Sequence, residues 1–279
     1  MRQISIYGKG GVGKSTVACN VAMALSEAGR KVMQVGCSPK ADSTYYLLGR
    51  MCEPTILDQV RAKGNKEKVV AECLKEGYSG IICAEAGGPE PALGCAGRGV
   101  LLALDLIRKY KLAQAHGVDF IIYDVIADVV CGGFAQPIRR GYASETYIVT
   151  SGELMSLYSA NNICYAVRTM NELKGANVLV GGLINNMRGI PREEELVYEF
   201  SEAIGVPVVA NIPRSPLVQQ AEARKGTVVQ HFPDSDISQE FKKFAMDIIE
   251  PRGILPNPMT PKDSIGVIMG LLRRYQIFE

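Results

Sequence analysis

The sequence predicts a single α/β domain built on a doubly wound, mostly parallel sheet. Three observations lead there. Apolar, strand-like runs alternate with helical stretches along the whole chain. Two of the runs, "FIIYDV" and "VLVGGLI", are apolar almost without interruption, as strands covered on both faces are. The first run passes through a glycine-rich turn straight into a helical pattern, the start of a strand–helix–strand series with right-handed crossovers.

The elements follow in order. Gln3-Ile4-Ser5-Ile6-Tyr7 alternates polar and apolar and reads as a short strand. Val17, Ala18, Val21, Ala22 and Leu25 recur at helical spacing, and Gly29 marks the end of that helix. Further strands are expected in "KVMQVG" from 31, "GIICAEA" from 80, "DFIIYDV" from 119, "TYIVTS" from 146, "NVLVGGLINN" from 177 and "VPVVANIP" from 206. Helices are expected over 98–114, 154–174, 191–204 and 236–249. A main body of residues 1–250 is followed by a Pro-richer extension, 251–279, which should wrap the surface and end in a short helix near 262–275. In a sheet of this kind ligands bind beyond the carboxyl ends of the strands, so the loop after each strand is where function is expected.

The first such loop, "YGKGGVGKST" at 7–16, carries the phosphate-binding pattern G-x-x-x-x-G-K-S. Gly8, Gly10, Gly11 and Gly13 let backbone N–H groups turn toward an anion, and the following helix start adds partial positive charge. Lys14 should reach the β- and γ-phosphates, the Ser15 hydroxyl should ligate Mg²⁺, and Thr16 completes the loop. Lys9 is surplus to this scheme. Lys14 already serves the bound phosphates, so a second cation must meet charge from elsewhere. The form K-G-G-x-G-K-S/T resembles the deviant phosphate-loop ATPases, and the resemblance implies that Lys9 crosses a dimer interface to the partner's nucleotide. The loop alone leaves partition ATPases, division-site ATPases, iron–sulfur carriers and nitrogenase-type iron proteins all open.

Composition narrows the classes. The chain has 279 residues, enough for a substantial core, and a net charge of +2, which offers no global attraction for nucleic acid. Mean hydropathy is +0.06, no run of 18 apolar residues occurs, and the start of the chain enters a strand directly. The expectation is a cytoplasmic protein that binds neither membrane nor nucleic acid. Eight cysteines lie at 19, 37, 52, 73, 83, 95, 131 and 164 without a C-x-x-C pair, so no single-chain zinc or ferredoxin pattern is present.

Two cysteines stand apart. Cys95 in "GGPEPALGCAGRG" and Cys131 in "YDVIADVVCGGF" are each flanked by glycine and each follow a strand-like run. A cubane cluster takes four thiolates, and two chains related by a two-fold axis would supply them. Buried structural thiols are the competing reading. The segments around them, with "VGCSPKADST", "SGELMSLYSANNI" and "IPRSPLVQQAE", closely resemble the nitrogenase iron protein superfamily along essentially the whole chain. The resemblance implies a homodimer bridged by one 4Fe–4S cluster on Cys95 and Cys131. It also implies MgATP as cofactor, with ATP-gated one-electron delivery to a catalytic partner (a heterotetramer) from a ferredoxin or flavodoxin donor. The extension 251–279 is then expected to pack on the dimer.

Residue by residue, the resemblance makes Asp124 the carboxylate that supports Mg²⁺. Asp128 becomes the residue that positions the attacking water, and Asp42 a first-switch residue. Asn186, Pro213 and Gln219 become the adenine pocket, and Arg98 and Arg139 docking positions for the partner. Three departures qualify it. Ser38 stands after Cys37, where the family usually has Asp. The second switch reads Asp124-Val125-Ile126-Ala127, with Ala in place of Gly. "IRRGYASE" from 138 lacks the alternating acids and bases of nitrogenase docking segments. The end substrate therefore stays open among dinitrogen, a tetrapyrrole such as F430, and a methylthio-alkane. A positioning ATPase and an iron–sulfur assembly scaffold remain as alternatives. The first lacks a strong basic tail and the second lacks its C-x-x-C pair.

Overall fold

The computed structural model describes residues 1–88, 96–125 and 141–275. Its strands are β1 (Arg2–Gly8), β2 (Val32–Cys37), β3 (Lys75–Glu76), β4 (Ile82–Glu85), β5 (Phe120–Val125), β6 (Glu145–Thr150), β7 (Leu179–Asn186) and β8 (Val208–Ile212). They form one sheet in the order β3-β4-β2-β5-β1-β6-β7-β8, parallel except for the short edge strand β3. The expected doubly wound, mostly parallel sheet is therefore present. β3 was not anticipated, because two residues carry no periodicity.

The helices are α1 (Lys14–Glu27), α2 (Tyr45–Leu48), α3 (Ile56–Lys63), α4 (Glu67–Ala71), α5 (Ala96–Lys109), α6 (Leu112–Ala115), α7 (Leu154–Lys174), α8 (Glu193–Ile204), α9 (Pro216–Ala223), α10 (Val228–His231), α11 (Asp236–Asp247) and α12 (Pro261–Arg274). The stretch expected as one helix over 98–114 is two, α5 and α6, because Lys111 takes a left-handed φ of 52° and breaks the run. α1, α10 and α11 cover one face of the sheet and α5, α7 and α8 the other, so every strand except the short β3 contributes to both cores. Ile4, Ile6, Phe120 and Ile122 face α1, while Tyr7, Val35, Tyr123 and Val125 face α5 and α7. This double covering is why the strands read as continuous apolar runs.

Register fixes what meets at the carboxyl edge. Ile6 of β1 pairs with Asp124 of β5, Asp124 with Gly36 of β2, and Gly36 with Glu85 of β4. Four strands thus end level. The extension after α11 folds back on its own chain. Glu145 Oε1 accepts the backbone N–H groups of Arg252 and Gly253 at 2.8 Å, and Ile254 bridges Val180 of β7. α12 then packs on α7 and α8, its first turn capped by the Thr260 hydroxyl.

Candidate functional site

The phosphate loop leaves β1 at Gly8, whose φ is +148° and where a Cβ would overlap the Val149 carbonyl oxygen of β6. It closes at Gly13, φ +99°, the N-cap of α1, where a Cβ would overlap the Asn186 amide. Only glycine meets both demands. Among the described residues no side chain caps α1. The loop is braced from β7: Asn186 Nδ2 donates to Val12 O and Arg188 Nη2 to Gly11 O, each at 2.7 Å.

Lys14 is buried at the base of the loop. Its ammonium donates to Gly8 O at 2.9 Å and Lys9 O at 3.0 Å, which draws the turn closed around a central cation. Ser15 and Ser43 both give their hydroxyls to Asp124 Oδ2, each at 2.6 Å. Burial pushes the Asp124 carboxyl above its ordinary value. The two hydroxyls and the Lys14 charge oppose that rise. A hydroxyl and a carboxylate, both oxygen donors, suit a hard divalent cation such as Mg²⁺.

A cavity of about 250 Å³ opens here, lined by the glycine loop, Lys14, Ser15, Ser38, Lys40, Asp42 and Asp124. A second, of about 260 Å³, shares Gly11, Gly13 and Thr16 with it and adds Asn186, Pro213 and Gln219. The expected phosphate and adenine residues thus lie along one groove. A larger cavity of about 590 Å³ lies against β8 and α11 and shares none of the phosphate-loop residues.

Other expected residues are placed as follows. Lys9 is half-buried, and among the described residues its ammonium has no hydrogen bond or ion pair. Asp42 is exposed and pairs with Lys40 at 3.4 Å; it does not cap α2, whose N-cap is Thr44. Ser38 is buried, and its hydroxyl accepts the Lys40 N–H at 3.1 Å. Arg98 is exposed in the first turn of α5. Cys95, Asp128, Cys131, Arg139 and Ala127 lie outside the described residues.

Three residues escaped the sequence reasoning. Ser43 is the second hydroxyl on Asp124. Glu193 accepts the N–H groups of Arg188, Gly189 and Ile190 on Oε2 and that of Gly152 on Oε1, which sets the loop that carries Arg188 to Gly11. Its only sequence signal is an acid at the first position of a helix after "GIPR". Glu85 is fully buried at the end of β4, and burial pushes its carboxyl up to about 8; Asp124 and Asp42 add to that rise, while hydrogen bonds from Thr44 oppose it.

This last shift has a measurable consequence. The folded state binds the Glu85 proton more tightly than the unfolded chain, whose value is near 4.5. The stabilisation is complete below about 4.5 and is lost as pH rises toward the folded value, at roughly 1.4 kcal/mol per pH unit. Denaturant midpoints of the wild type should therefore fall relative to Glu85→Gln between pH 6 and 8. Parallel curves would show that the carboxyl is ionised throughout.

A family model described as 4Fe–4S iron sulfur cluster binding proteins, NifH/frxC family, matches residues 2–273. The chain belongs to the NifH/frxC family. Relatives agree. A nitrogenase iron protein of Methanospirillum hungatei is 46% identical over 260 residues, covering 93% of this chain and 92% of that protein. Nitrogenase iron protein 2 of Methanothermobacter thermautotrophicus is 47% identical over 264 residues, covering 94% and 96%. Among solved structures, the septum site-determining protein MinD of Pyrococcus horikoshii, complexed with Mg-ADP, superposes with a TM-score of 0.69 at 24% identity, covering 89% of this chain and 96% of that one. A ParA family ATPase of Chlorobium tepidum gives 0.67 at 22%, covering 88% and 98%. At these identities the two structures establish the fold alone, the deviant phosphate-loop type.

This NifH/frxC-family protein is thus an ATP-dependent electron-transfer reductase of the NifH type, with a 4Fe–4S cluster and MgATP as cofactors. The groove, the braced loop and the oxygen donors on Asp124 fit MgATP. The six described cysteines, 19, 37, 52, 73, 83 and 164, are all buried free thiols. Burial raises every one of them, Cys52 and Cys73 to about 11, so they stay protonated at neutral pH. No helix among the described residues is long and apolar enough to cross a membrane.

Proposed function

We propose that this chain is the reductase component of a two-component, nitrogenase-like system in the cytoplasm. It acts as a homodimer that passes single electrons to a separate catalytic protein, with a ferredoxin or flavodoxin as donor. The observation that carries this reading is the match to the NifH/frxC family and to nitrogenase iron proteins across nearly the whole chain. Cys95 and Cys131 of each subunit would hold the cluster, with the extension 251–279 supporting the dimer. When bound, the cluster supplies a one-electron redox centre.

The chain's own residues carry the nucleotide steps. The loop amides and Lys14 hold the phosphates. Ser15 and Asp124 hold Mg²⁺, and Asn186, Pro213 and Gln219 enclose the base. Lys9, whose ammonium is uncommitted within its own subunit among the described residues, reaches the partner's nucleotide. Asp128 positions the attacking water, and Asp42 moves with the γ-phosphate. Arg98 and Arg139 meet the catalytic partner. The end substrate is dinitrogen, a tetrapyrrole or a methylthio-alkane. Ser38 and the segment from 138 favour a system that departs from dinitrogen reduction.

The test uses Lys9. In the anaerobically purified dimer, MgATP should change the rate at which a chelator strips iron. Lys9→Ala should keep nucleotide binding through Lys14 and lose that change. A Lys9→Ala variant that responds to MgATP as the wild type does would remove the cross-subunit role.

A further inference from the structure

The nucleotide chemistry described above makes no use of Glu85, yet its placement is costly and specific. It is fully buried, and burying a carboxyl without a cation partner destabilises a fold. The charged or titratable groups that raise it are Asp124 on β5 and Asp42 in the loop before α2. The thiols of Cys19, Cys37, Cys52 and Cys83 in turn feel its charge. Gly36, its partner across the sheet, has no side chain, and a Cβ there would overlap the Glu85 carboxyl. The fold therefore reserves space for this group.

Its contacts explain why. Glu85 Oε1 accepts the Thr44 N–H at 2.8 Å and the Thr44 hydroxyl at 2.7 Å. The preceding residue, Ser43, gives its hydroxyl to Asp124, which also receives Ser15. Gln34 Nε2 holds the Ser43 carbonyl at 3.0 Å from below. A hydrogen-bonded chain thus runs from Glu85 through Thr44 and Ser43 to the Mg²⁺ side of the phosphate loop. On its other side Glu85 continues into residues 86–88, which are clasped by the same loop. Ala86 N–H donates to Gly36 O at 2.9 Å, and a Cβ on Gly88 would come within 2.6 Å of Pro39 Cβ.

We propose that Glu85 is a positioning residue for the nucleotide switch: its carboxyl fixes Thr44, so that Ser43 meets Asp124, and ties residues 38–44 to residues 86–88. The inference deepens the nucleotide part of the function above and rests on that part. The carboxyl works as a two-fold acceptor through Oε1, so Gln replaces it in shape and in that hydrogen bonding. Ala removes both acceptor contacts.

The test measures nucleotide dissociation constants of the cluster-loaded dimer, with Mg²⁺ and with EDTA. Glu85→Ala should weaken MgATP roughly tenfold and leave Mg²⁺-free ATP within twofold, because only the Asp124 side of the site is disturbed. Glu85→Gln should bind both as the wild type does. Thr44→Val, which deletes one donor in a near-isosteric side chain, should repeat the Mg²⁺-specific loss more weakly and decides the matter if Glu85→Ala does not fold. Adding Thr44→Val to Glu85→Ala should cost nothing further. Equal losses with and without Mg²⁺, an unrescued Glu85→Gln, or unchanged MgATP binding in folded Glu85→Ala and Thr44→Val would each overturn the inference. A wild type that binds no nucleotide would instead remove the functional reading itself.

Discussion

Cys95→Ala or Cys131→Ala should leave the anaerobically purified protein colourless, while Cys73→Ala stays brown with about four irons per dimer. The contrast follows from thiolate chemistry. Cys73 is buried, donates to Val69 O at 3.4 Å and Thr55 O at 3.6 Å, and burial pushes its thiol up to about 11. A thiol held in that way is a packing group. Loss of one cluster ligand per subunit removes two of four thiolates from the shared site, and a cubane does not survive on two. Iron analysis with the visible spectrum decides it. A brown Cys95→Ala variant would move the cluster to other ligands, and a colourless wild type with intact ATP binding after reconstitution would favour the positioning-ATPase reading.

Asp128→Asn should nearly eliminate ATP turnover, whereas Ser38→Ala should change it modestly. A positioned general base contributes about 10²–10⁴-fold. Ser38 lines the phosphate cavity, but its hydroxyl accepts the Lys40 N–H and ionises far above neutrality, so it has no basic role. Asp42 lines the same cavity but is exposed and paired with Lys40. Under the proposed function Asp128 is the acid that positions the attacking water. Ser38→Asp should speed hydrolysis without improving electron delivery, since coupling depends on the whole switch. Steady-state ATPase rates with the catalytic partner present measure all three. A large loss in Ser38→Ala beside an active Asp128→Asn would reverse the assignment.

The sequence by itself determined the phosphate loop and the fold class. Both depend on short-range physics: glycine spacing that permits positive φ, a lysine and a serine at the first two positions of a helix, and apolar runs whose period distinguishes strand from helix. It also placed Asn186, Pro213 and Gln219 on one groove, though only through resemblance. The tertiary structure alone decided which distant side chains meet. Glu85 lies 41 residues from Thr44, and Ser43 lies 81 from Asp124, so no local pattern announces either pair. Strand order and register bring them together, by seating Ile6, Asp124, Gly36 and Glu85 level at the carboxyl edge. The same holds for Glu193, an unremarked acid in "PREEEL" until α8 presents it to four backbone N–H groups. A motif is legible when its atoms are neighbours along the chain. A buried polar network is not, because its partners are chosen by packing, and the desolvation that tunes them exists only once the sheet has closed over them.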